Sequence, residues 1–142
     1  MSTPEKFRSA VEKRDLAALE GLFASDVRFY SPVKFTPFVG RPMVQGLFGV
    51  LLRTFEDFRY VGEFQGTAEL SGSGDEADAH VLIFRANVNG KAIHGMDLLH
   101  LDEAGLIKEF TVMVRPQSAV SALSDAVLAG LVADGLVADP NG

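Results

Sequence analysis

The chain has no cysteine and no tryptophan, and only two tyrosines among its 142 residues. Without thiols there is no disulfide, no thiolate nucleophile and no Cys-ligated metal, a composition that fits a reducing cytoplasm. No run of Lys or Arg occurs and the formal net charge is −6, so phosphate backbones and anionic membrane surfaces are poor partners. The first residues, Met1-Ser2-Thr3-Pro4-Glu5-Lys6, lack the apolar core of a secretory signal. The most apolar stretch, 119–138, carries Asp125 and Asp134 and does not read as a membrane span. These exclusions point to a soluble, cytoplasmic protein that binds neither nucleic acid nor membrane.

What is present is phenylalanine, eleven of them. Phe brings area and a π face without a polar handle, which suits a packed core and equally the lining of an apolar cavity. The length is that of one domain with a sizeable core, 1–142.

Periodicity orders the elements. Thr3-Pro4 opens a helix with Phe7, Ala10 and Val11 at helical spacing, and Asp15 caps a second with Leu16, Leu19, Leu22 and Phe23 on one face. A strand follows over Asp26–Ser31, then a loop, Ser31–Gly40, broken by Pro32 and Pro37. Pro42 opens a third helix whose Met43, Val44, Leu47, Phe48, Leu51, Leu52 and Phe55 cover over half its circumference, as in a helix buried on two sides or covering a cavity. Phe58, Tyr60, Gly62 and Phe64 then alternate as in a strand. Three strands are expected at 77–88, 91–101 and 106–115, joined by the hairpin signal Asn89-Gly90 and the turn Asp102–Gly105. Pro116 stops the last one, and 118–137 forms a helical tail that either closes this chain's own pocket or covers a patch in a dimer. Helices followed by a four-strand meander make an α+β domain, with helices on one face of a curved sheet.

Asp15-Leu16-Ala17-Ala18-Leu19, Phe23-Ala24-Ser25-Asp26-Val27 and Ser31-Pro32, with the later 96–107 segment Met96-Asp97-Leu98-Leu99-His100-Leu101-Asp102-Glu103-Ala104-Gly105-Leu106-Ile107, resemble the NTF2-like superfamily, in particular its SnoaL-like proteins. The likeness covers residues 3–115. It implies a cone whose curved, mostly antiparallel sheet wraps a deep pocket closed by three N-terminal helices, and a homodimer through the outer sheet face. It also implies a cofactor-independent isomerase, cyclase or hydrolase, or on the same scaffold a non-catalytic binding or accessory protein for a hydrophobic ligand, or a dimeric interaction module.

Asp97 is the acid to follow. It stands in an otherwise apolar strand, where a carboxyl must be paired, hydrogen-bonded or protonated. The resemblance places it where ketosteroid isomerase holds its oxyanion-stabilising acid. The isomerase's general base falls at Ser31 and its oxyanion Tyr at Phe7, so one catalytic group of three is retained and ketosteroid isomerase is not expected. Strand parity puts Leu99 beside Asp97 on the pocket face, with Phe110, Val112 and Val114 on the next strand and His80, Leu82 and Phe84 on the preceding one. Phe29 and Ser31, Phe48, Leu51 and Phe55, and Phe7 complete the expected lining.

Such a pocket suits a small hydrophobic molecule with one polar atom. A desolvated Asp97 donates a proton or hydrogen bond to a carbonyl oxygen, and His80 is the candidate base. Two plainer readings stand beside these: Asp97 as a structural acid bonded by its neighbours, and His80 as a half-exposed surface residue. His94 and His100 fall on the opposite face from Asp97, at a dimer interface or in solvent, which leaves no metal set. Lys34 and Arg41 flank the Pro-rich loop, either meeting an anionic substrate group or simply solvated. No cofactor is expected.

Overall fold

A computed structural model describes residues 1–139. The chain runs α1 (Thr3–Glu12), α2 (Leu16–Glu20), β1 (Phe23–Tyr30), β2 (Phe38–Val39), α3 (Arg41–Thr54), β3 (Glu56–Glu69), β4 (Glu76–Val88), β5 (Lys91–Leu101), β6 (Ile107–Arg115) and α4 (Gln117–Ala133). The helix starts follow the sequence signals. Ser2 Oγ accepts from the Glu5 amide at the head of α1, and Asp15 Oδ1 accepts from the Ala18 amide at the head of α2. Asn89 and Gly90 both have positive φ, as a tight primed hairpin turn between β4 and β5 requires.

The six strands form one curved, unclosed sheet in the order β2-β1-β6-β5-β4-β3. Its pairs are antiparallel except β1 and β6, which run parallel with Phe29 opposite Phe110. The apolar faces of α1–α3, with Phe7, Leu19, Val44, Leu47 and Phe48, bury against Phe23, Val27, Phe29, Leu82, Phe84, Leu99 and Phe110 of the sheet. This is the expected α+β architecture.

The tail packs on its own chain. α4 lies against α3 so closely that a Cβ on Gly130 would meet Val50 Cγ1 at 2.5 Å, and Arg53 ties the helix end through Asp134 at 2.8 Å.

The second helix is shorter than its apolar spacing predicts: it ends at Glu20, Leu22 and Phe23 lie beyond it with Phe23 opening β1, and the stretch read as loop holds the short strand Phe38–Val39. Two further details depart from the sequence reading. The alternation Phe58-Tyr60-Gly62-Phe64 put all four residues on one face, but the pairing with β4 shifts between Tyr60 and Gly62. One extra residue in a strand reverses the parity beyond it. Tyr60 therefore points inward while Phe64 points outward, 65% exposed.

The second departure is His100, read as an interface or solvent residue and found buried. It pairs across the ladder with Glu109, whose carboxylate accepts from the Ser71 and Gly72 amides at 2.7 and 3.0 Å. The β3–β4 connection thus folds over this part of the outer face and covers the His100–Glu109 rung.

Candidate functional site

Between the helices and the inner sheet face lies a cavity of about 270 Å3. Its lining is overwhelmingly apolar and largely aromatic. One group comprises Phe55, Phe58 and Phe84, with Phe58 stacked on Phe84 at 4.8 Å and edge-on to Tyr60 at 5.0 Å. Gly95 makes this possible: a Cβ there would stand 2.3 Å from Phe84 Cζ, so only glycine leaves room for the Phe84 ring over β5. The other group comprises Phe29, Phe38, Phe48 and Phe110, with Phe29 stacked on Phe110 at 5.2 Å.

α4 closes the space with Leu123, Ser124, Val127, Leu128 and Leu131. Of the two readings of the tail, the structure therefore takes the one in which it closes its own pocket.

Asp97 is the one acid among the described lining residues. It sits on the rung Leu82–Asp97–Val112, in the middle of the sheet. Tyr60 reaches it from β3, across β4, and its hydroxyl donates to Asp97 Oδ2 at 2.8 Å in a buried contact. No described side chain bonds to Oδ1, and the residue borders the cavity.

Burial pushes the Asp97 carboxyl up to about 7, the Tyr60 hydrogen bond pulling weakly the other way. Burial, and then the neighbouring Asp97 charge, raises Tyr60 well above the ordinary phenol value, so it remains a donor. The site thus presents one carboxyl poised near neutrality, oriented by a phenol and enclosed by aromatic rings.

A family model described as a SnoaL-like domain matches residues 5–110. The chain belongs to the SnoaL-like family. Among solved structures, an uncharacterized bacterial protein with a cystatin-like fold from Silicibacter pomeroyi DSS-3 superposes with a TM-score of 0.82 at 31% identity, over 94% of this chain and 88% of that one. A steroid delta-isomerase from Pseudomonas aeruginosa gives 0.81 at 31% identity, over 95% and 93%. A SnoaL-like polyketide cyclase from Shewanella denitrificans OS-217, so described provisionally, shares the fold at 14% identity and a TM-score of 0.58, over 89% and 95%. No match is found among curated proteins.

Within this SnoaL-like cavity the structure gathers most of the expected lining: Phe29, Ser31, Phe48, Leu51, Phe55, Phe84, Phe110 and Val112 all border it with Asp97. Phe7, Leu82 and Leu99 are buried outside the lining, and Phe7 packs behind it against Phe48 and Phe110. Val114 keeps the inward parity and packs against the core, but borders an adjoining open groove that shares Ser31, Pro32, Lys34 and Val112 with the cavity.

His80 and Asp97 are not brought together. The imidazole shares the inner-face parity, but its rung partner is Leu99, one inward-facing position along the ladder from Asp97. Its Nε2 lies 3.2 Å from Asp78 Oδ2 instead, and His80 is absent from the described lining.

Ser31 lines the cavity, but its Oγ accepts from the Val33 and Lys34 amides. That hydroxyl shapes the loop. Arg41 donates to the Phe23 carbonyl. Among the described residues no group of three metal-ligating side chains converges.

The functional residue missed in the sequence is Tyr60. Its signal was present, since a buried acid needs a donor and the chain has only two tyrosines. What hid it was the pairing of β3 beside β4, which sets Tyr60 opposite Phe84 and within reach of Asp97 and which alternation alone does not give.

Proposed function

We propose that this SnoaL-like chain binds an apolar carbonyl compound and that Asp97 moves one of its protons. One observation carries the reading: a carboxyl poised near pH 7, held by Tyr60 and bordering an aromatic cavity. A group with that affinity takes a proton as carboxylate and returns it as acid at neutral pH, which is where general acid–base catalysis is most effective. Protonated, it donates a hydrogen bond to a carbonyl oxygen in a site lined mostly by apolar side chains. The likeness to a steroid delta-isomerase supports a carbonyl-bearing, largely apolar substrate. In this scheme Tyr60 positions the carboxyl and His80 has no assigned step.

A second reading rests on Asp97 being the only carboxyl in the described lining, with no imidazole beside it and the Ser31 hydroxyl engaged by backbone. A cavity with one acid and no separate base also fits a binding protein without turnover.

Proton exchange separates the two. NMR of cyclic and aryl ketones in D2O should show deuterium entering α to the carbonyl with the wild-type protein and not with Asp97→Asn. Binding of the same ketones without exchange, unchanged in Asp97→Asn, selects the second reading.

We also propose that a second copy of the chain covers the outer sheet face. Phe64, Met96 and Met113 are exposed there, with Val81, Ile83 and Leu98 half-buried between them across neighbouring strands. A contiguous apolar stripe of this kind marks an interaction surface.

A further inference from the structure

Lys34 is the one cation among the described residues lining the cavity. It stands exposed on the loop, with one contact at each end. The backbone amide donates to Ser31 Oγ at 3.2 Å, and the ammonium stands 4.0 Å from the centroid of the Phe38 ring, itself part of the lining. An ammonium over an aromatic face is held electrostatically without being neutralised.

Several cations elsewhere in the chain have partners of their own. Arg53 pairs with Asp134, Arg8 with Glu12 and Glu63, and Arg59 with Asp57. Arg41 donates to the Phe23 carbonyl, and Arg28 Nη1 lies beside Gly72, as does Glu109 Oε2. No carboxylate lies within ion-pair distance of Lys34 among the described residues. In a chain of net charge −6, this leaves an uncompensated positive charge at the edge of an apolar space.

The ladder sets the scale. Tyr30, at the end of β1, pairs with Thr111, and Asp97 pairs with the next residue of β6, Val112. The start of the Lys34 loop is therefore two strand spacings from Asp97, on the order of 10 Å.

Resting on the reading of the cavity as a carbonyl-compound site, we propose that its ligand is a carboxylate-bearing apolar carbonyl compound. Its carbonyl oxygen meets Asp97 and its carboxylate meets Lys34. The apolar body lies between the two aromatic groups, and the two polar ends fix which way round it enters. A charge-assisted hydrogen bond at one end of an otherwise apolar ligand supplies orientation as well as affinity.

The test is calorimetric titration with aryl keto acids, benzoyl alkanoates of increasing chain length, each beside its primary amide. The proteins are wild type, Lys34→Gln and Asp97→Asn. For the best-fitting length, wild type should bind the acid about tenfold or more tighter than the amide, as a hydrogen bond to a charged group implies. Lys34→Gln should abolish that preference and leave amide affinity within about twofold of wild type. Amide binding that depends on Asp97, with no acid preference in wild type, overturns the Lys34 subsite alone. An acid preference that survives Lys34→Gln does the same. Binding of neither probe at any length overturns the subsite together with the carbonyl-site reading.

Discussion

The Tyr60 hydroxyl lies 2.8 Å from Asp97 Oδ2, although the two residues stand on β3 and β5 with β4 between them. Tyr60 faces inward with Phe58, opposite Phe84 of β4, and its hydroxyl reaches past that strand to the carboxyl. Tyr60 bonds one oxygen of the carboxyl, no described side chain bonds the other, and the residue borders the cavity. Burial raises the proton affinity of Asp97 and the Tyr60 hydrogen bond moderates it; the proposed chemistry rests on the two together.

Removing the phenol oxygen tests its part. Tyr60→Phe should raise the Asp97 pKa further, because the hydrogen bond it removes favours the carboxylate. Stability should fall by about 1 kcal/mol. Carboxyl chemical shifts and urea unfolding read the two effects separately, and an unchanged or lowered Asp97 pKa would contradict the assignment.

The pH dependence of stability has a definite sign. The folded state holds the Asp97 proton up to about pH 7, whereas an unfolded chain releases it near 3.9. The folded state thus binds more protons across that interval, so this group's contribution is full below about pH 4 and is lost as pH rises through about 7. At some 1.36 kcal/mol per unit the change is on the order of 4 kcal/mol. Asp97→Asn, which still accepts from Tyr60, should lack this slope and be more stable than wild type above pH 7. Urea midpoints across the pH range should diverge accordingly; parallel profiles would show that Asp97 is not protonated in the fold.

Gly95→Ala should disturb the cavity from behind. The new methyl would overlap Phe84 Cζ and sit 3.0 Å from the Met113 carbonyl, so the ring must leave its place on Phe58. Overpacking of this kind costs about 1–3 kcal/mol. Thermal unfolding should report that loss, and ketone affinity should drop with it.

The outer stripe predicts an association that one charge disrupts. Sedimentation should give a dimer for the wild type and a monomer for Met113→Lys, whose site is 52% exposed and so tolerates the change in the single chain. A wild type that sediments as a monomer at micromolar concentration would remove the proposed interface.

The sequence made much of this legible, and the failures are local. Helix periodicity and caps located α1–α3, and Asn89-Gly90 fixed the β4–β5 register that brings Leu82 opposite Asp97. Asp97 stood out because an acid in an apolar strand always needs an explanation.

What stayed hidden depended on backbone irregularity and long-range closure. The bulge after Tyr60 changed which residues of β3 face inward, and the β3–β4 connection buried His100 by folding over a face that parity alone calls exposed. His80 was given the right face but not the right place along the strand, which parity does not encode. The partner of α4 was open because a weakly patterned apolar helix fits more than one surface; only the close packing of Gly130 on Val50 decides it.

The most direct measurement is a carbon-detected NMR titration of the Asp97 carboxyl, assigned by comparison with Asp97→Asn. A midpoint near 7 is the predicted result and places a protonatable acid in a dry cavity at neutral pH. A midpoint at or below the ordinary ~3.9 would mean a solvated or ion-paired carboxylate, and the proton-transfer account would fall with it.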